Sequence, residues 1–482
     1  MSSAVLPLWA SPVHRCWPGF RQQVHQQLDL FLDDLEAQMD SSQDKLPSLF
    51  ELSTRVRQQR GGLTGSILQA YVLQRYGAYL EQTQADCPGC GRSLWARPTR
   101  PRTVETLVGE LTLERPYFYC ESCRHGFYPL DQALGLSAHA KQYDLQQAAS
   151  ALAVEMPFGE AANWMSQWTD GPISDEVLHG MVQQVGRPLT LLEVCPTPAQ
   201  VQAAIAQVGA GKKWQPIMVI AIDGATVPTR PETAKGKRPG RKKVRARRAH
   251  WTGEYREAKG FRVFLVDEER IVHLISWHQI QTEEELAQGL QQLQEAGLIP
   301  EDQVRLCVVA DGAPWIWKRV TELFPSARQI LDFYHCSSYL HAVAQTQYGA
   351  DGPRAQEWLE ATMARLFSNE GAGLLWGLQR MKPVSPEAEA AIDKTLTYLS
   401  PRLEQIAYGS HRKGGYPLGS GAIESAHRFI CQVRLKRSGA WWYQQNSNAL
   451  LALRCAKYNG TWEQVYQRYA QIAHNDKLPP LS

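Results

Sequence analysis

The chain has 482 residues, which is long enough for about three domains. Its hydrophobic content of 44% and charged content of 21% are ordinary for soluble globular proteins. No apolar run approaches the roughly 20 residues that a membrane span needs, and the N-terminus lacks a basic start followed by an apolar core. We therefore expect a cytoplasmic protein without a membrane partner.

Positive charge is concentrated in one stretch of the chain. The net charge is only +3, yet Lys235–Arg248 carries nine Lys and Arg residues and no acidic residue. Concentrated positive charge attracts polyanions, so we predict that this stretch contacts DNA phosphates. A solvated linker is the alternative. The predicted contacts from this stretch are Lys237, Arg238, Arg241, Lys242, Lys243, Arg245, Arg247 and Arg248.

The first 135 residues predict a helical region and then a zinc ribbon. Apolar spacing predicts helices over Gln22–Met39 and Gly65–Glu81, in a region 1–82 that is a small domain or a dimerisation element. Two Cys-x-x-Cys pairs follow, joined by a predicted hairpin over Thr103–Tyr119. Such pairs form a closed structural Zn²⁺ site in a zinc-ribbon-like domain at 83–135, with redox use as the alternative. The predicted zinc ligands are Cys87, Cys90, Cys120 and Cys123.

Residues 140–192 predict three short helices, over Leu145–Glu155, Phe158–Trp168 and Ser174–Gln184. Ser174 is a plausible N-cap because two acidic residues follow it in the first helical turn. Helices of this length joined by short turns are typical of a helix-turn-helix-like DNA-binding region. A small helical bundle with no role in DNA binding has the same features and stays open as an alternative.

From residue 214 onward the pattern becomes α/β. Strands are predicted over Pro216–Ile222, Phe261–Val266, Arg270–Trp277, Val304–Ala310 and Ala327–Leu331, and helices over Thr282–Ala296 and Pro314–Phe324. The first and fourth strands each end in Asp-Gly, at Asp223 and Asp311, and the fifth ends at Asp332, shortly before His335. An Asp after a strand is usually a turn former when taken singly. Residues 336–410 predict a helical insertion.

The stretch Tyr416–Trp442 supplies a third carboxylate. A Gly-Ser-Gly turn leads into a predicted helix with one acidic residue, Glu424, and a pair of Trp residues closes the stretch. A single Glu on a helix is usually a solvated residue, so it gains weight only beside the two aspartates. The cations that follow it, which we expect to hold DNA, are Arg428, Arg434, Lys436 and Arg437.

This order of elements is that of an RNase H-like, retroviral-integrase-like fold. In that fold the first and fourth strands are neighbours, so Asp223 and Asp311 would lie side by side and the helix would bring Glu424 to them. Three unpaired carboxylates cannot share a small site without large cost. Ligands that are all oxygen favour Mg²⁺ or Mn²⁺, and two such ions support phosphodiester cleavage.

Five stretches carry a family resemblance: AIDGATVP (221–228), YREAKG (255–260), VVADGAPWIW (308–317), ILDFYHCSSYL (330–340) and YPLGSGAIESAHRFICQVRLKRSGAWW (416–442). In these the chain resembles DDE transposases of bacterial insertion sequences, in the ISKra group, with Mutator-like relatives in eukaryotes. The resemblance implies catalytic roles for Asp223, Asp311 and Glu424 and accessory roles for Asp332 and His335. A packed or capping histidine is the alternative for His335.

We therefore predict a multidomain α+β protein that acts as a DNA transposase on double-stranded DNA. The RNase H-like catalytic domain would comprise 214–335 and 411–460, with the helical insertion at 336–410 and a C-terminal tail at 461–482. Two transposon ends must be held together, so a homodimer or larger assembly is expected, associated with the bacterial nucleoid when bound to DNA. An RNase H-like nuclease without strand transfer and an inert zinc-ribbon DNA-binding protein are the alternatives.

Overall fold

The computed structural model describes residues 17–40, 47–169, 171–231, 252–268, 270–350 and 352–475. The basic stretch Lys235–Arg248 lies outside the described residues, so its predicted DNA contacts remain a prediction. The chain divides into an N-terminal unit, residues 1–181 with 466–482, and a central unit, residues 182–465. Both helices and sheets are present, as the predicted α+β class requires. Within the described ranges, no helix combines the length and apolar character that crossing a bilayer requires.

The N-terminal unit begins with two helices, α1 (Trp17–Asp40) and α2 (Leu49–Leu80). Helix α2 starts well before the predicted Gly65. The reason is a capping box: the Ser48 hydroxyl accepts from the Glu51 amide at 3.3 Å, and the Glu51 carboxylate accepts from the Ser48 amide at 2.7 Å. These two bonds satisfy amides that the first helical turn would otherwise leave unpaired.

A β-region follows α2. Its strands are β1 (Gln84–Asp86), β2 (Ser93–Trp95), β3 (Arg97–Thr106), β4 (Gly109–Cys120) and β5 (His125–Phe127). The first two pair with each other, and the other three form an antiparallel sheet in the order β3-β4-β5. The predicted hairpin is confirmed as β3 and β4.

Helix α2 packs directly on this hairpin. Gly109 has φ +142°, and a Cβ at this position would lie 2.3 Å from the Gly61 carbonyl oxygen. A Cβ on Gly65 would likewise lie 2.6 Å from the Glu110 carbonyl oxygen. Only glycine permits so close an approach of two backbones. The core beneath the contact consists of Val72, Val104, Leu111, Leu113, Leu130 and Leu136.

Short helices follow the β-region: α3 (Pro129–Ala133), α4 (Tyr143–Ala153), α5 (Phe158–Ser166) and α6 (Asp175–Gly186). The three helices predicted within 140–192 are confirmed as α4, α5 and α6. The Ser174 hydroxyl accepts a hydrogen bond from the Val177 amide at 3.2 Å, so Ser174 caps α6 as predicted.

The central unit contains α7 (Pro198–Gly209) and a five-stranded sheet. Along the chain come β6 (Ile217–Thr229), β7 (Glu254–Asp267), β8 (Arg270–Ile280), α8 (Glu283–Glu295), β9 (Arg305–Ala310), α9 (Pro314–Leu323) and β10 (Arg328–Leu331). The strand order is β10-β9-β6-β7-β8. Strands β6, β7 and β8 run antiparallel, whereas β9 pairs in parallel with β6 and β10 with β9.

Strand β6 is longer than predicted. The sequence predicts its end at Ile222, but it continues to Thr229 because β7 pairs with it along its whole length, from Ile217 opposite Val266 to Thr229 opposite Glu254. The parallel pairing with β9 stops earlier, where Ile222 lies opposite Ala310. Asp223 is therefore inside β6 but just beyond the parallel ladder.

Residues after β10 are helical. The helices are α10 (Phe333–Tyr348), α11 (Pro353–Phe367), α12 (Gly371–Gln379), α13 (Pro386–Leu399), α14 (Tyr408–Lys413), α15 (Gly421–Ala426), α16 (Val433–Leu435), α17 (Gln444–Tyr458) and α18 (Trp462–Asn475). A π-helical turn, His427–Gln432, separates α15 from α16. Between 336 and 410, no strand occurs among the described residues, as predicted for the insertion.

Two glycines of α2 allow a matched test of its close packing. In Gly65→Ala the new methyl group meets the Glu110 backbone, whereas at Gly62 no atom lies within 4 Å of the added carbon. We expect Gly62→Ala to stabilise the protein by up to about 1 kcal/mol through helix propensity. We expect Gly65→Ala to destabilise it by about 1–3 kcal/mol through overpacking. Urea unfolding measures both, and equal effects of the two variants would contradict the packing.

Candidate active site and metal centre

The four predicted zinc ligands meet at one point. The Sγ atoms of Cys87 and Cys123 are 3.8 Å apart, those of Cys90 and Cys120 are 3.7 Å apart, and all four lie within 4.8 Å of one another. A tetrahedral zinc with Zn–S bonds of about 2.3 Å requires separations of about 3.8 Å between its sulfurs. The four cysteines can therefore hold a metal ion such as zinc.

The protonation of these thiols fits a cation site. The Cys123 amide hydrogen bond lowers the pKa of Cys120 to about 7, while hydrogen bonding with the Cys90 thiol and then the Cys87 thiol raises the pKa of Cys123 to about 12. One thiol of the cluster thus ionises easily and another resists ionisation. Thiolate is the form that binds metal, so a cation is what allows all four to ionise together.

Asp223 and Asp311 directly follow the last paired residues, Ile222 and Ala310, of the adjacent parallel strands β6 and β9. The Asp223 Oδ1 accepts from the Gly224 amide at 2.7 Å, and the Asp311 Oδ1 accepts from the Ala313 amide at 2.9 Å, at the start of α9. Each carboxylate is thus held through one oxygen by the backbone that follows it. The second oxygen of each remains for other partners.

Asp223 is unusually hard to ionise for an aspartate. Burial and, to a smaller extent, the nearby Asp311 raise its pKa to about 6, against the lowering effects of the Gly224 amide and His335. The effect of Asp311 and His335 means that both lie within electrostatic range of Asp223. A cation bound here would offset the cost of ionising the two aspartates.

Glu424 lies on α15 and shares a cavity with Asp223. This cavity, of about 610 Å³, is also lined by Arg428 and Lys436. The Ser420 hydroxyl is 3.4 Å from the Glu424 Oε1, and the Lys436 ammonium donates to the Thr226 hydroxyl at 2.9 Å. Glu424, Arg428 and Lys436 are all exposed, so the cavity presents both carboxylates and cations to solvent.

Asp311 lines a second cavity, of about 540 Å³, together with His335, Lys394 and Arg402. His335 is exposed in the first turn of α10, and its backbone amide donates to the Asp332 Oδ1 at 2.7 Å. The Arg402 guanidinium donates to the Gly312 carbonyl at 2.5 Å. Helices α10 and α13 therefore bring polar groups to Asp311.

The structure brings the predicted acidic residues to one end of the sheet without clustering them tightly. Asp223 and Glu424 share one cavity, and Asp311 and His335 share the other. Across the described ranges, the four cysteines are the one group whose ligand atoms lie within 4.8 Å of one another in the manner of a metal site. The carboxylates of Asp223 and Glu424 therefore face one cavity, and that of Asp311 faces the other.

Two of the predicted DNA contacts differ in placement. Arg437 is exposed, and its Nε donates to the Val433 carbonyl at 3.2 Å. Arg434 is only 3% exposed, with its guanidinium 5.0 Å from the centre of the Trp442 ring. The Trp442 indole in turn donates to the Leu435 carbonyl at 3.0 Å. Burial on an aromatic ring argues for a packing role of Arg434 and against the predicted DNA contact.

Sequence reasoning missed two buried histidines beside Asp223. His427 Nδ1 lies 3.5 Å from Asp223 Oδ2, and the ring of His278 is 5.0 Å from that of His427. Burial first, and then Lys436, lowers the pKa of His427 to about 4. The spacing Glu424-x-x-His427 places both residues on one side of a helix, and this signal could have identified His427.

Comparison with known proteins identifies the family. The profile of the uncharacterised protein family UPF0236 matches residues 48–469, so the chain belongs to this family. A relative from Streptococcus gallolyticus, the UPF0236 protein in the vanSb 3' region, is 22% identical over 377 residues, covering 76% of this chain and 74% of the relative.

Among solved structures, the Drosophila P element transposase strand transfer complex is similar at 10% identity with a TM-score of 0.24. The match covers 68% of this chain and 80% of that chain. A TM-score this low supports no inference about fold or function.

The cysteine cluster predicts about one zinc per chain in the purified protein. Cys120→Ser removes one of the four sulfur ligands, so we expect bound zinc to fall close to zero and the melting temperature to drop. Cys195→Ala is the control, because Cys195 is a buried thiol of the central unit and should leave zinc bound. Metal analysis by mass spectrometry reads the result. Full zinc content in Cys120→Ser would rule out the four-cysteine site.

Asp223 predicts a pH-dependent stability effect. Its pKa is raised to about 6 from 3.8, so ionisation in the folded state costs stability that the unfolded chain does not lose. This penalty is absent below the unfolded pKa and reaches its full size above pH 6. Asp223→Asn should therefore stabilise the metal-free protein at pH 8 by on the order of 2 kcal/mol, and by about half as much at pH 5.

Urea unfolding in EDTA at the two pH values measures this difference. Asp302→Asn, at an exposed carboxylate, is the control and should show no such trend. Added Mg²⁺ should shrink the gain of Asp223→Asn at pH 8, because a bound cation offsets the charge. A gain that is the same at pH 5 and pH 8 would mean that Asp223 is not a costly carboxylate.

Proposed function

We propose that this UPF0236 protein is a DDE transposase, in which an RNase H-like domain uses Asp223, Asp311 and Glu424 to cut and join DNA. The observation that carries the proposal is the placement of Asp223 and Asp311 on adjacent parallel strands, with Glu424 facing the cavity that Asp223 lines. An antiparallel meander whose first strand also pairs with the fourth supports the RNase H-like assignment. The five sequence stretches that resemble ISKra-group transposases support the finer classification.

The donor set fits a hard divalent cation. Asp223, Asp311 and Glu424 offer only carboxylate oxygens, the ligands that Mg²⁺ and Mn²⁺ prefer over softer metals. Burial and the neighbouring Asp311 make ionised Asp223 costly, and a cation would offset this cost. When bound, such ions lower the pKa of the attacking water or hydroxyl and stabilise charge on the leaving oxygen.

The residues of the chain have separable roles in this reaction. The Gly224 and Ala313 amides fix one oxygen of Asp223 and Asp311, so each carboxylate keeps a defined orientation. Arg428 and Lys436, at the rim of the Asp223 cavity, hold DNA phosphates. His335 lines the same cavity as Asp311, and its role would be to contact the scissile phosphate or to move a proton.

The chemistry consists of two in-line phosphoryl transfers at the same residues. Water attacks the phosphodiester at a transposon end and leaves a free 3′-OH. That 3′-OH then attacks a phosphodiester of the target DNA, joining the two strands and releasing a new 3′-OH on the target. Because both transfers break one P–O bond and form another, no external energy source is needed.

Other parts of the chain support DNA binding in this proposal. Helices α4, α5 and α6 form the helix-turn-helix-like reader, the basic stretch Lys235–Arg248 contacts phosphates, and zinc holds the cysteine ribbon. Since two transposon ends must be joined together, the working form is a homodimer or larger assembly on double-stranded DNA.

The triad is tested with Asp223→Asn, Asp311→Asn and Glu424→Gln. The substrate is duplex DNA from the two ends of the element that encodes the chain. Each variant should lose Mg²⁺-dependent cleavage by at least about 100-fold, the scale of removing one electrostatic group from a transition state. DNA binding in a gel-shift assay should remain. Asp302→Asn, at an exposed carboxylate outside both cavities, serves as the control and should cut normally.

The same assay separates the alternatives. Pre-cut ends offered with a supercoiled target should give joined product, whereas a nuclease without strand transfer gives cleavage and no joining. A wild-type protein that binds the ends but never cuts them would indicate an inert DNA-binding protein. Near wild-type cleavage by any one of the three triad variants would remove that residue from the proposed site.

A further inference from the structure

His427 makes a contact that the proposed chemistry does not use. It begins the π-helical turn after α15, is 4% exposed, and places Nδ1 3.5 Å from the Asp223 Oδ2. The other oxygen of Asp223 already accepts from the Gly224 amide. The imidazole therefore lies at the one carboxylate oxygen that the backbone does not hold.

A second histidine stands behind the first. His278, on β8, is fully buried, and its ring meets that of His427 edge to face at 5.0 Å and 83°. Gly260 lies opposite Asp223 in the β6–β7 register, and a Cβ there would lie 2.3 Å from the His278 ring. Glycine at this position thus makes room for the imidazole, which gives a structural reason for the last residue of the YREAKG stretch.

Burying the ring nitrogens of His427 and His278 costs free energy of folding. The Nε2 of His427 and both ring nitrogens of His278 are buried and have no hydrogen-bond partner among the described residues. Buried polar atoms are rarely left in this state, because losing water without a replacement costs free energy. Two aliphatic side chains would fill the same space without that cost, so packing alone does not account for the pair.

His427 also connects the helical segment of Glu424 to Asp223. Glu424 and His427 are three positions apart on a continuous helical segment, so they share one side of it. A π-turn at this place is typical of segments whose geometry serves a site. Through His427, the segment that carries Glu424 reaches the Asp223 carboxylate on β6.

We propose that His427 is a positioning residue, which holds the Asp223 carboxylate through Nδ1–H so that Asp223 and Glu424 face the same cavity. The ring of His278 packs against that of His427 and fixes its orientation. The inference rests on the proposed function, since it assigns His427 a role toward a ligand of the divalent cation. Partners of this kind orient metal ligands in known sites, and their loss weakens metal binding by about 10–100-fold.

Asn and Gln substitutions distinguish the two ring nitrogens. The amide nitrogen of Asn can occupy the place of Nδ1, and that of Gln the place of Nε2. We expect His427→Asn to keep the Mn²⁺ dissociation constant within about threefold of the wild-type value. His427→Gln and His427→Ala should raise it by about 10-fold or more. Calorimetric Mn²⁺ titration of the full-length zinc-loaded chain measures the constants, with Asp223→Asn as the reference for loss of the site.

Melting temperatures show whether each variant is folded, and His427→Ser replaces His427→Gln if the latter does not fold. The inference would be overturned if all His427 variants bound Mn²⁺ with equal affinity, or if His427→Asn and His427→Gln lost the same affinity. It would also be overturned if Asp223→Asn bound Mn²⁺ as tightly as the wild type. The proposed function fails separately. If the Asn and Gln variants differ as expected but the wild type never cuts DNA, the positioning role stands and transposition does not.

Discussion

A single buried carboxylate, that of Asp332, joins the elements on which the candidate active site depends. Its Oδ1 accepts from the His335 amide at 2.7 Å, and its Oδ2 accepts from the Ser420 amide at 2.5 Å, across 88 residues of chain. Its own amide donates to the Ala310 carbonyl at 2.8 Å, at the end of β9. Removing one partner of a buried carboxylate is strongly destabilising, so the positions of β9, α10 and the turn before α15 are linked.

This link explains how a long helical insertion can enter the site without disturbing it. The chain leaves the sheet after Leu331 and returns at Leu418, where the Phe333 amide donates to the Leu418 carbonyl at 2.9 Å. The Tyr408 hydroxyl also donates to the Leu331 carbonyl at 3.0 Å. Hydrogen bonds thus join the segment that leaves the sheet to the segment that returns, and they fix Ser420 at the start of α15. The position of Glu424 therefore depends on the hydrogen bonds of Asp332.

The local sequence pattern predicted the strands that carry the site, whereas strand pairing and side-chain packing set features that the sequence did not predict. Two apolar runs, each followed by Asp-Gly, identified β6 and β9, because a strand that is buried on both faces needs a continuous apolar run. The Asp-Gly step marks the end of the apolar run, and in β6 it does not mark the end of the strand. The extension of β6 to Thr229 could not be predicted, because it depends on β7 pairing from Glu254 onward, in a polar segment. Arg434 was misplaced for a related reason: a charged residue in a basic helix suggests solvent, and only packing against Trp442 buries it. The spacing of His427 from Glu424 indicates a shared helix side, but its contact with Asp223 depends on how α15 packs on β6.

Carboxylates and cations line the same two cavities of the central unit. Asp223 and Glu424 share one cavity with Arg428 and Lys436, and Asp311 shares the other with Lys394. In the proposed function, divalent cations held by the carboxylates would attract phosphate oxygens, and the lysine and arginine side chains would hold phosphates beside them. Without such cations the carboxylates would repel a phosphate. Arg434 lies on the same segment as Lys436, and its guanidinium packs on Trp442.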